Sequence, residues 1–214
     1  EEDLAAKGFK GMMRWTRGVD VDLFRPQNVR LFGEGPIFMY VGRVSVEKNI
    51  EAFLNLELPG RKVVVGGGPQ LTELRRAYPD VHFTGPKEGE ELAAAYASGD
   101  VFVFPSLTDT FGLVLLEALA CGVPVAAYPV HGPKDVVTNP AAGVLHNDLQ
   151  TAALQALDLN REDARSHALN FSWENSAQQF LDNVLAAHNL GLPKRRRLLP
   201  RLRPSRLIRR KTAA

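Results

Sequence analysis

A single cysteine, Cys121, leaves no internal disulfide to form and fits a reducing compartment. It closes an apolar stretch, so it reads as a small packed side chain and not as a nucleophile. No apolar run approaches the ~18 residues of a membrane span. The opening Glu1-Glu2-Asp3-Leu4 is acidic and lacks the apolar centre of a signal peptide, which leads to an expectation of a cytoplasmic location. The chain also lacks H-E-x-x-H, a cysteine pair and G-x-S-x-G. Those absences exclude the zinc-peptidase, cysteine-ligated metal and serine-hydrolase classes.

What is present suits one globular domain with an appendage: 214 residues, of which 45% are hydrophobic. The net charge of +2 hides an asymmetry. Residues 194–211 hold 10 of the 26 lysines and arginines and no acid, which leaves 16 bases against 24 acids, a net of −8, elsewhere. An acidic body is a poor reader of nucleic acid, and no nucleic-acid partner is expected. In the tail, leucines and an isoleucine interleave with the cations, while Pro200 and Pro204 interrupt any long helix. That composition suits an anionic membrane surface, at about 1 kcal/mol per cation close to it. A disordered end without a role, and a nucleic-acid contact that lacks aromatic stacking, remain open alternatives.

Along the chain, apolar strand patterns alternate with helical ones. Strands are expected at 37–41, 62–65, 81–84, 101–104 and 124–127, with an edge strand at 143–145. Helices are expected at 47–54, from Pro69 as the first helical position to Ala77, at 88–97, 111–122, 133–137, 147–157 and 161–168. A last helix opens after Ser172 as its N-cap. Such alternation predicts an α/β fold, a Rossmann-like parallel sheet sandwiched by helices. Residues 1–35 form a lead-in, 36–170 the domain, 171–190 a terminal helix and 191–214 the basic tail.

The most informative stretch runs from Ser106 to Ala127. Asp109 and Glu117 lie eight residues apart across a turn from strand to helix, where open α/β sheets bind ligands. Eight helical residues rise about 12 Å, roughly the reach from the sugar of a nucleoside-diphosphate sugar to its ribose. A helix N-terminus between the acids offers free N–H groups to the diphosphate.

Asp109-Thr110-Phe111-Gly112-Leu113-Val114-Leu115-Leu116-Glu117 resembles the E-x7-E donor motif of retaining GT-B glycosyltransferases, especially glycosyltransferase family 4. The first acid is Asp where that family usually has Glu, about 1.5 Å shorter. Gly42-Arg43 through Lys48 resembles the family's G-R-x-x-x-x-K loop, Val65-Gly66-Gly67-Gly68-Pro69 its V-G-x-G-P turn, and His82-Phe83-Thr84-Gly85-Pro86 its segment beside the base. Val130-His131-Gly132-Pro133-Lys134-Asp135-Val136 resembles a variant of its G-G-x-P-E loop. Trp15 to Pro26 resembles the linker before the second domain, and Phe171-Ser172-Trp173-Glu174 the helix that crosses back to the first.

The resemblance implies the C-terminal, donor-binding half of a GT-B fold, with the N-terminal acceptor half missing from this chain. It implies transfer of a hexose from a UDP- or GDP-sugar to an acceptor hydroxyl with retention, without cofactor or metal. Arg43 and Lys48 would stabilise the leaving diphosphate, Asp109 the sugar hydroxyls, and Glu117 the ribose diol, a carboxylate accepting two hydrogen bonds side by side. Backbone at Gly42, Gly67, Gly85, Phe111, Gly112 and Leu113 would approach the donor. A basic tail would place the protein at the inner face of a membrane, beside a lipid-linked acceptor. A non-catalytic nucleotide-sugar-binding module is the alternative.

Overall fold

The computed structural model describes residues 2–189. The basic tail, with the membrane contact expected of it, lies outside the described residues. After a short helix α1 (Glu2–Ala6) and an irregular lead-in, strands and helices alternate: β1 (Ile37–Val41), α2 (Ile50–Leu54), β2 (Arg61–Val65), α3 (Leu71–Ala77), β3 (His82–Gly85), α4 (Gly89–Ala97). Then follow β4 (Val101–Phe104), α5 (Leu113–Ala120), β5 (Val125–Ala127), α6 (Pro133–Val136), β6 (Gly143–Leu145), α7 (Leu149–Ala156), α8 (Arg161–Ala168) and α9 (Trp173–Asn189). The six strands pair in the order β3-β2-β1-β4-β5-β6, every pair parallel. This is the expected Rossmann-like sheet, with β6 at one edge.

The central strands carry apolar residues at every position because both faces are covered. Ile37, Met39, Val41, Phe102 and Phe104 point into one core with α4, α5 and α8. Phe38, Tyr40, Val101 and Val103 point into the other with α2, α3 and α7. Part of the lead-in belongs to the first core: Val19 and Phe24 are buried there. Val19 donates to the Phe171 carbonyl at 2.8 Å, and Arg165 of α8 reaches the carbonyls of Val21 and Phe24. Ser172 caps α9 as expected, its hydroxyl accepting from the Asn175 N–H at 3.1 Å. Among the described residues no helix is long and apolar enough to cross a membrane.

The helix expected over 147–157 starts at Leu149, where Asp148 caps it by accepting from the Gln150 and Thr151 N–H groups. Two other helices differ from expectation at left-handed residues. The helix expected over 47–54 is a 3-10 turn, Val46–Lys48, then Asn49 at φ 53°, then α2. Asn tolerates this conformation, and its side-chain amide donates to the Pro105 carbonyl at 3.0 Å, tying the kink to the end of β4. The helix expected from Phe111 begins at Leu113, because Gly112 sits at φ 82°.

The loops leaving β1, β2 and β3 are laced through their backbones. Gly42 donates to Val65, Gly66 to Gly85 and Val44 to Gly67, at 2.9–3.0 Å. A Cβ on Gly66, at φ 143°, would stand 1.9 Å from the Gly42 carbonyl oxygen, so only glycine fits. At Gly67 the nearest atom would be Pro86 Cδ at 3.7 Å, an ordinary contact. Gly66→Ala should therefore lower unfolding free energy in urea by roughly 2–4 kcal/mol, and Gly67→Ala change it by less than about 1 kcal/mol. Equal losses at both positions would contradict this division.

Candidate functional site

The strand order reverses between β1 and β4, so the loops leaving these neighbours diverge and open a crevice at their carboxyl ends. A cleft of about 190 Å³ lies there. Its walls include Gly42, Arg43, Lys48, Asp109, Gly112 and Leu113, six of the residues singled out by their motifs. Glu117, Phe111, Gly67 and Gly85 are not among its walls.

Lys48 and Asp109 meet inside this cleft, Nζ to Oδ2 at 2.5 Å. Their side chains are 29% and 18% exposed, so water screens the pair only partly. Lys48 is the last residue of the 3-10 turn, directly before the left-handed Asn49. Arg43 is exposed and lies 4.0 Å from Glu47, a weak surface pair. Its carbonyl accepts from the Tyr40 hydroxyl at 2.7 Å. Burial, and then the Asp109 charge, push Tyr40 up, so it remains a neutral donor.

The Gly112 break corrects the expected geometry of the two acids. Asp109 stands in the loop, and only the four steps from Leu113 to Glu117 are helical. The 12 Å helical rise therefore does not separate them. Glycine at the cap supplies no side chain to the first turn of α5, which leaves backbone N–H groups at the cleft for an anion. The Gly132 loop closes on this region, with a Cβ there only 3.1 Å from the Asp109 carbonyl oxygen. His131 and His82 are both exposed, His82 as expected of a strand residue facing out.

Glu117, one turn into α5, is half-buried and accepts a hydrogen bond at 2.8 Å from the Tyr96 hydroxyl. Burial raises its pKa, and the Tyr96 bond pulls the other way. Tyr96 is a residue the motif reading missed. The available signal was a lone tyrosine in the alanine-rich run of α4, since a buried tyrosine hydroxyl needs a partner.

Gly67 follows β2 and Gly85 ends β3; a Cβ on Gly85 would meet nothing within 4 Å, and one on Gly67 only Pro86 at 3.7 Å. Cys121 is buried as expected, and burial pushes its thiol up to about 12, which removes it as a nucleophile. Among the described residues no three His, Cys, Asp or Glu side chains gather as metal ligands.

A parallel sheet of this order, with cations, acids and an uncapped helix N-terminus at its switch point, is the Rossmann-like half of a GT-B protein. Residues 35–160 match the family model of Glycosyl transferases group 1, and the chain belongs to this family. It is 42% identical over 153 residues to the GDP-mannose-dependent alpha-mannosyltransferase of Mycobacterium tuberculosis (strain CDC 1551 / Oshkosh), covering 67% of this chain and 40% of that protein. It is 36% identical over 159 residues to sulfoquinovosyl transferase SQD2 of Arabidopsis thaliana, covering 66% and 31%. Among solved structures, sucrose-phosphate synthase from Thermosynechococcus elongatus superposes with TM-score 0.72 at 27% identity, covering 88% of this chain and 57% of that one. Anabaena Alr3699/HepE in complex with UDP shares the fold, with TM-score 0.68 at 18% identity, covering 86% and 60%. The chain thus spans about two fifths of the length of the mannosyltransferase.

The ion pair makes a direct prediction. A double-mutant cycle on stability with Lys48→Met and Asp109→Asn should give a coupling of about 1–2 kcal/mol. Additivity within about 0.3 kcal/mol would mean the pair is not formed in solution.

Proposed function

We propose that this chain is the donor-binding half of a retaining hexosyltransferase, with GDP-mannose as its donor. The observation that carries this reading is the contact of Lys48 with Asp109 at the switch point. A cation for phosphate and an acid for sugar hydroxyls stand side by side, as the junction of phosphate and sugar requires. The diphosphate then lies between Lys48, Arg43 and the first N–H groups of α5. The ribose reaches Glu117, and the base lies beside Gly85. When the bond from sugar C1 to the phosphate oxygen breaks, negative charge grows on the leaving diphosphate. Lys48 and the helix N-terminus are in place before that moment, and with the exposed Arg43 they stabilise it without a metal. The mannosyltransferase likeness supports GDP-mannose over UDP-sugars as the donor.

Turnover needs the other half of the protein, because the chain spans only part of its relatives. On α9, Phe180, Leu181, Val184 and Leu185 are about half exposed, beside Trp15 and Trp173, and this is the face for that half to cover. A second reading follows from the same fact: alone, the chain binds its donor without transferring the sugar.

Calorimetric titration with GDP-mannose and UDP-glucose tests the donor. GDP-mannose should bind saturably, and Glu117→Ala should weaken it at least tenfold, the loss of a charge-assisted diol contact. Tighter binding of UDP-glucose would overturn the choice of donor, and binding of neither would overturn the donor site.

The ten cations of residues 194–211 support a membrane contact, placing the protein at the inner face beside a lipid-linked acceptor. Sedimentation with phosphatidylglycerol vesicles should fall as salt rises. Equal partitioning onto neutral phosphatidylcholine vesicles would count against it.

A further inference from the structure

Tyr96 belongs to none of the donor motifs, yet its hydroxyl is the side-chain partner of Glu117 among the described residues. It is 0% exposed. Its ring is set between Phe24 at 5.8 Å and 81° and Phe102 at 5.8 Å and 58°. Rings held on two sides give the hydroxyl one direction, and that direction ends at Glu117 Oε2, 2.8 Å away. Each group would be costly to bury alone: a tyrosine hydroxyl without an acceptor, and a carboxylate without a donor.

We infer that Tyr96 is a positioning residue for Glu117, holding Oε2 so that Oε1 is left to accept from the vicinal diol of the nucleotide ribose. This rests on the donor-site reading of Glu117. The bond also favours the charged form of the carboxyl, against the burial that disfavours it. The other titratable groups around the pair are Tyr40 from β1 and Cys121 at the end of α5, with Arg161 and Arg165 of α8 beyond Cys121. Burial pushes Tyr40 up and Cys121 to about 12. Glu117, its carboxyl raised by burial, is then the member of this cluster whose charge changes as the medium turns acidic. Only its carboxylate accepts two hydrogen bonds from a diol, so binding falls as pH drops through its pKa. Removing the Tyr96 hydroxyl takes away a bond to the charged form. The pKa of Glu117 then rises, and binding is lost at a higher pH.

The test is GDP titration calorimetry across pH on the 214-residue chain, wild type beside Tyr96→Phe, Glu117→Gln and the double variant. Titration of the Glu117 carboxyl by 13C NMR without ligand, assigned by its absence in Glu117→Gln, provides a second readout. Tyr96→Phe keeps the ring and its packing. It should weaken GDP roughly five- to tenfold at neutral pH. It should also move the acid limb of binding, and the NMR midpoint, up by about half to one unit. In the Glu117→Gln background the same change should move no limb. A Tyr96→Phe protein that melts lower but keeps both midpoints would show a tyrosine that only packs, and would overturn the positioning role alone. GDP binding that is indifferent to Glu117→Gln would overturn the donor-site reading and, with it, this one.

Discussion

The burial of β1 and β4 on both faces is the constraint from which the site follows. Neighbouring parallel strands covered by helices on opposite sides must send their chains apart at the carboxyl ends. The gap that results cannot be filled by either helix layer, and polar loops line it. Everything then depends on how closely those loops approach. Gly66 against the Gly42 carbonyl sets one side, and Gly112 at the head of α5 sets the other. Between them the chain has placed a cation, an acid and the open end of a helix.

Two polar pairs, one in the crevice and one behind it, join different elements. Lys48 of the β1 loop meets Asp109 of the β4 loop, and Tyr96 of α4 meets Glu117 of α5. A partly buried charge without such a partner would be costly, so each pair also fixes the direction of its members. The short Asp109 side chain makes a close contact with Lys48 from across the loops.

The strands were legible because their chemistry is local: apolar residues at every position of 37–41 and 101–104 need no distant contact to explain them. The acids and cations were legible through spacing and resemblance. What escaped depends on tertiary contact. Asn49 breaks its helix where its amide finds Pro105, 56 residues away, and no local pattern announces that partner. Lys48 and Asp109 are 61 residues apart in sequence, and Tyr96 and Glu117 are 21 apart, so each pair became visible only once the sheet order was known. The start of α5 was misplaced for a different reason: glycine tolerates both helical and left-handed backbone, and the apolar run around it does not choose.

The most direct test of this account is a crystal structure of the chain with GDP bound. The account predicts the nucleotide across the ends of β1 and β4, with its diphosphate on Lys48, Arg43 and the first turn of α5, and its ribose diol on Glu117. A nucleotide seated elsewhere, for example in the cleft beside Arg30 and Arg161 at the opposite end of the strands, would contradict it.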